Sequence, residues 1–271
     1  MHGLPNYLPV KPRSEDNEST KRHITWLQDA YKSRSRADNN KVMKLMTLTL
    51  YQRRQEITNG EDIKMFLDKY PWLHIADQVV EEFHRISDLN VNENFDTFIN
   101  ENKFALISMA QIVKNQSELF NLLRGAEGDY ATNCMIILGV ILMMNEEVNH
   151  LIGNEVPEPG VTPVFIKCDV SKFLDEGAFE VFIDGVHVCT ATDFVEAFKL
   201  YICTYYIFNI AYGTLKKTLT FFDCMMLRLK QEQKSVHKCV IKVIAKLNAL
   251  KEKQRQTSNS RKCKGRKKST K

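Results

Sequence analysis

The chain has 271 residues, of which 44% are hydrophobic and 26% charged, with 11 Gly and 7 Pro. That composition excludes collagen-like, disulfide-scaffold and wholly disordered classes, and the length suffices for one large domain or two modest ones. The net charge of +5 is unevenly spread: residues 1–215 carry 20 Lys+Arg against 30 Asp+Glu, a balance of −10, whereas residues 216–271 carry 18 against 3, a balance of +15.

Residues 1–38 are polar and rich in proline early on, and they read as a partly disordered segment. Within it, 14–20 and 32–36 read as solvated chain, with a short docked helix around Trp26, Leu27 and Tyr31. Residues 39–57 read as one helix, with Val42, Leu45, Leu48 and Thr49 at helical spacing and Lys41, Lys44, Arg53 and Arg54 mostly off that face. Asn59-Gly60 stops it. Further helices are predicted over 61–69, 75–86 and 92–114. Residues 129–152 hold the strongest apolar run, MIILGVILMM at 135–144, and read as a central buried helix. The run is half of the about 20 residues that a membrane span needs.

Between 153 and 163 the glycines and prolines mark a loop and a subdomain boundary. Strands follow at 164–168, 179–183 and 186–189, the last two flanking Asp184-Gly185. An Asp-Gly pair between β-rich runs predicts a two-residue type I′ hairpin. Asp193 and Glu196 read as a capping box for a helix reaching about Ala211, and 215–229 as another helix. The predicted fold is α+β and predominantly helical, with a small antiparallel hairpin or three-stranded sheet. It divides into an N-terminal segment 1–38, a helical part 39–152, a hairpin-plus-helices part 153–229, and a basic helix and disordered tail 230–271.

That last region carries the strongest functional signal. Lys230, Lys234, Lys238, Lys242 and Lys246 recur every four residues, a basic stripe on a helix. Beside it Val236, Val240, Val243, Leu247 and Leu250 step by four and three, the pattern of an oligomerising seam. Arg261, Lys262, Lys264, Arg266, Lys267 and Lys268 fit a nuclear-import cluster or a polyphosphate contact. No aromatic residue interleaves them, so base stacking is not expected and nucleic-acid contact would be sequence-independent.

No catalytic constellation, metal site or cofactor site is predicted. The chain lacks a Walker loop, a dinucleotide fingerprint and a Gly-x-Ser-x-Gly elbow. Its seven cysteines have no CxxC pair, which argues for a reducing compartment. His187 and Cys189 lie two apart on a predicted strand and so should share a face, where a half-buried strand pair is the expected role. Glu146, Glu147 and His150 have part of the spacing of a carboxylate-bridged site, but the motif has no second copy. Asp62, Asp68, Asp77, Glu81 and Glu82 read as a solvated helix face.

Several segments occur together in a recognisable order: Tyr7-Leu8-Pro9-Val10-Lys11-Pro12, Ile24-Thr25-Trp26-Leu27, Tyr51-Gln52-Arg53-Arg54, Tyr70-Pro71-Trp72-Leu73, Phe179-Glu180-Val181-Phe182-Ile183-Asp184-Gly185-Val186 and Tyr205-Tyr206-Ile207-Phe208-Asn209. This set resembles the C-terminal region of a large group of vertebrate proteins, many from fish, labelled sterile-alpha-motif-domain-containing-like. The resemblance spans residues 7–222 and implies no catalytic residue. The chain is expected to differ from the group in lacking the sterile alpha motif ahead of residue 7 and in its basic extension after residue 229.

The expected function is that of a non-enzymatic nuclear protein. Its acidic body would bind a protein partner and its basic arm would contact nucleic acid or import machinery. The alternative is a cytosolic scaffold, a homo-oligomer through the seam, with no nucleic-acid role.

Overall fold

The computed structural model describes residues 8–113, 118–123, 125–175, 177–229 and 236–266, with side chains of the last helix described through Gln256. The chain divides into two units, each built from two stretches of sequence. The first comprises Met1–Glu93 and Asn149–Thr214, the second Asn94–Val148 and Leu215–Lys271. The boundary at Val148 lies a few residues ahead of the Gly/Pro-rich loop that the sequence suggests.

Helix formation in the first unit starts earlier than the polar sequence implies. Asp16 caps α1 (Asn17–Lys32): its side chain accepts from Ser19 N at 2.6 Å, and Ser19 Oγ accepts from Asp16 N. Two orphan donors are thereby satisfied reciprocally. Leu27 is buried and its carbonyl accepts from Trp72 Nε1 at 2.8 Å, and Thr20 and Ile24 are buried as well, so the docked face extends N-terminal of Trp26.

Residues 39–57 form two helices, not one: α2 (Asn39–Leu48) and α3 (Leu50–Thr58), broken at Thr49. Then come α4 (Ile63–Lys69), a 3₁₀ turn (Pro71–His74) and α5 (Ala76–Ser87). Asp38 and Asp62 cap α2 and α4 through backbone N–H groups, which gives Asp62 a structural role.

The sheet has the order β1 (Ile152–Gly153), β2 (Val164–Lys167), β3 (Phe179–Ile183) and β4 (Val186–Ala191). β1 runs parallel to β2 and the rest are antiparallel, so it is four-stranded and mixed. Asp184 and Gly185 both have positive φ, 43° and 83°, as the type I′ turn requires. β3 alternates cleanly, burying Phe179, Val181 and Ile183. α9 (Phe194–Ile207) packs on β2, β3 and β4 and also on α5. It is buried nearly all round and forms the centre of this unit. Asp193 caps it through Glu196 N; Glu196 reaches back one residue further than a capping box would, accepting from Thr192 N.

The second unit holds most of α6 (Val91–Ala110), with α7 (Glu118–Leu123), α8 (Asp129–Met143), α10 (Lys216–Met225) and α11 (Lys238–Arg266). α8 is the buried helix the sequence predicts, but it stops nine residues short of Ile152. Asn145 adopts the left-handed conformation at φ 55°, Asn145 N donates to Leu142 O, and Glu146 N donates to Ile141 O. This is a Schellman stop with asparagine in the glycine position. Glu146 then caps α10, accepting from Lys217 N, Thr218 N and Thr218 Oγ1, while Lys217 Nζ donates to Met144 O at 2.6 Å. An anion at one helix start and a cation at another helix end suit both dipoles.

Gly139 allows α8 to approach its neighbours, since a Cβ there would stand 2.8 Å from Ala110 Cβ. Gly139→Ala is therefore expected to cost about 1 kcal/mol net in thermal unfolding, because overpacking of about 1–3 kcal/mol exceeds the helix-propensity gain of about 1.

Candidate functional site

The stripe that the sequence singles out lies on α11. Lys238, Lys242 and Lys246 are exposed, one turn apart. Lys230, Lys234, Lys267 and Lys268 lie outside the described residues. Arg261, Lys262, Lys264 and Arg266 fall on the backbone of α11, beyond the side chains described. The helix runs on past Lys251, where the sequence predicts its disordered tail, because Lys, Glu, Gln and Arg are themselves good helix formers.

The neighbouring apolar positions face inward. Val240 and Leu247 are fully buried within the single chain, whereas Val236, Val243 and Leu250 are half-buried. α11 packs on α10, Cys239 Sγ lies 3.9 Å from Met143 O, and Lys251 Nζ donates to Asn102 Oδ1 at 2.9 Å. The heptad-like spacing of Val240 and Leu247 thus serves an intramolecular contact.

Between α11 and the C-terminal ends of α6 and α8 lies a groove of about 380 Å3. Met109, Leu142, Met143 and Val243 line it, and Lys242 and Lys246 stand on its edge. Ile112, 64% exposed, extends the apolar surface outward.

The first unit contains an open groove of about 1000 Å3 around Trp72 and Met43. Three of its charged groups are engaged structurally: Glu196 with Thr192, Lys199 with Asn92 at 2.6 Å, and Arg34 over the Tyr31 ring.

Two arginines that the helical spacing places mostly off the apolar face of 39–57 are buried. Arg53 and Arg54 are each 1% exposed. Arg53 Nε and Nη2 donate to both oxygens of Glu82 at 2.7 Å, Nη1 donates to Thr49 Oγ1, and Nη2 also reaches Met46 O at the end of α2. Arg85 Nη1 adds a third donor to Glu82 at 3.0 Å. Burial works to raise Glu82, but Arg53 and Arg85 outweigh it and hold the carboxyl below its usual range. Arg54 Nη1 donates to Ile207 O and Tyr206 O at the end of α9. Adjacent arginines therefore satisfy the open carbonyls of two different helices. Glu82 consequently does not belong to the solvated acidic face that the sequence suggests.

His187 and Cys189 do not share a face. Phe182 pairs with His187 and Val181 with Cys189, so Val188 is an extra bulge residue. The bulge buries both Val188 and Cys189 and leaves His187 half-exposed. Burial lowers the His187 pKa and pushes the Cys168 and Cys189 thiols up to about 12, so these cysteines pack as neutral groups. Among the described residues no group of three or more His, Cys, Asp or Glu could hold a metal, and no helix is long and apolar enough to cross a membrane.

Residues 20–75 match the family model of the helical domain of sterile alpha motif domain-containing protein 3. The match relates this part of the chain to proteins of that kind, and it describes a helical domain rather than a catalytic one. It covers α2, α3 and α4 with Arg53, Arg54 and Trp72, all in the first unit, and includes none of the α11 lysines. No curated protein and no solved structure matches the chain.

Proposed function

We propose that the protein is a non-enzymatic interaction protein whose α11 arm contacts polyanions, acting in the nucleus, with the acidic remainder of the chain binding a protein partner. The reading is carried by the exposed Lys238, Lys242 and Lys246 on a helix that continues toward Arg261, Lys262, Lys264 and Arg266. The −10/+15 division of charge supports it. The resemblance to the C-terminal region of sterile-alpha-motif-containing vertebrate proteins over residues 7–222, many of them from fish, belongs to the same proposal.

Deleting 230–271 would be a poor test, because it removes Val240 and Leu247 from the core of the second unit. Charge changes in the full chain avoid that. One variant carries Lys238→Glu, Lys242→Glu and Lys246→Glu; another replaces Arg261, Lys262, Lys264, Arg266, Lys267 and Lys268 by Gln. Binding to mixed-sequence duplex DNA and single-stranded RNA is measured across a salt series. On duplex DNA the unaltered chain is expected to lose affinity steeply with salt, and the log–log slope to fall by about 0.9 for each phosphate contact removed. The second variant is expected to lose nuclear accumulation. Equal binding and equal localisation of all three proteins would overturn the reading.

A further inference from the structure

We propose that the groove of the second unit, between α11 and the ends of α6 and α8, is the docking site of an acidic amphipathic peptide helix. The inference goes beyond the polyanion reading: it uses the same Lys242 and Lys246 but requires the apolar floor, which a phosphate backbone does not need.

Three observations select this occupant. The floor is apolar and adaptable, with Met109 and Met143 beside Leu142 and Val243; unbranched methionines refit to different side chains. At about 380 Å3 the recess has room for the few anchor side chains that a helix lays into a groove. Its charge is one-signed: among the described residues no carboxylate lines it, while Lys242 and Lys246 stand one turn apart on the edge. Their spacing of about 6 Å along the helix matches carboxylates one turn apart on a partner helix. A peptide with apolar residues at i, i+3, i+4 and i+7 and glutamates beside them would satisfy the floor and the edge together.

Other occupants fit less well. Among the described residues no aromatic side chain lines the groove to stack on a base. A helix lying in a bilayer surface buries its own apolar face, but Val240 and Leu247 of α11 are already buried within the unit.

The test uses the full chain and a labelled synthetic peptide of about 16 residues with leucines at those helical positions and glutamates elsewhere. An all-glutamate peptide of equal charge, mixed-sequence duplex DNA and vesicles of phosphatidylserine with phosphatidylcholine are the comparison ligands. Ile112→Asp changes a side chain that is 64% exposed, so the fold is retained, which circular dichroism checks. It is expected to weaken the leucine–glutamate peptide about tenfold or more and to leave duplex binding unmoved. Lys242→Glu with Lys246→Glu is expected to weaken peptide and duplex alike. Peptide binding that ignores Ile112→Asp, or that is no tighter than that of the all-glutamate control, would overturn the proposal. So would an Ile112-dependent association with vesicles in place of the peptide, which would assign the groove to a lipid surface. Failure of the unaltered chain to bind duplex DNA while it binds the leucine–glutamate peptide would sink the polyanion reading and leave the groove proposal standing; peptide binding that ignores Lys242→Glu with Lys246→Glu would overturn the groove proposal.

Discussion

Glu82→Ala is expected to cost about 3–5 kcal/mol of the first unit's stability, because it strands two buried guanidinium groups. Arg53 and Glu82 are each 1% exposed, and the Arg85 side chain is 8% exposed, so solvent reaches none of the three well enough to replace the lost carboxylate. The desolvation of Arg53 would persist while its charge partner disappears. Its contacts with Thr49 Oγ1 and Met46 O would remain and hold the charge inside. The measurement is direct: the chain has two tryptophans, Trp26 and Trp72, and both belong to the first unit. Urea unfolding followed by tryptophan fluorescence therefore reports this unit. Arg53→Met combined with Glu82→Leu is expected to recover most of the loss, since swapping a buried pair for apolar groups of similar volume is often near neutral. A loss below about 1 kcal/mol in Glu82→Ala would mean the pair behaves as a surface salt bridge.

This network also marks where sequence reading stops. The periodic helices, the Asp184-Gly185 hairpin and the N-cap at Asp193 were legible because each signal is local. The burial of Arg53 and Arg54 was not. Both sit among polar neighbours, and their partners lie 29 positions away at Glu82 and 153 away at Ile207. Composition marks arginine as exposed; only the tertiary fold brings it to an open helix end or a buried carboxylate. The bulge at Val188 was equally silent, because an extra strand residue leaves no trace in a period-two pattern until the partner strand is known. Asn145 was a readable stop that the apolar run masked. The basic stripe was legible as charge, whereas the groove beside it needed Met109 and Met143, which lie on helices far earlier in the chain.

Leu247→Asp is expected to remove at least about 4 kcal/mol from the second unit, and Val240→Asp a comparable amount, because each would place a carboxylate at a site with no exposure. Val236→Asp and Leu250→Asp, at half-buried positions of the same stripe, are expected to cost about 1 kcal/mol or less. The contrast separates two uses of one pattern. A seam between chains would make all four positions matter for assembly and none for the isolated fold. Leu247→Asp would then halve the mass in solution while leaving helix content intact. An intramolecular seam makes the two classes differ in stability, and helix content and protease resistance fall with Val240 or Leu247 at unchanged mass. The structure predicts the second outcome, since both side chains are already enclosed by their own unit. It also explains why the lysines at 238, 242 and 246 face solvent: packing of Val240 and Leu247 fixes the rotation of α11 and leaves the basic stripe and its groove open to a partner.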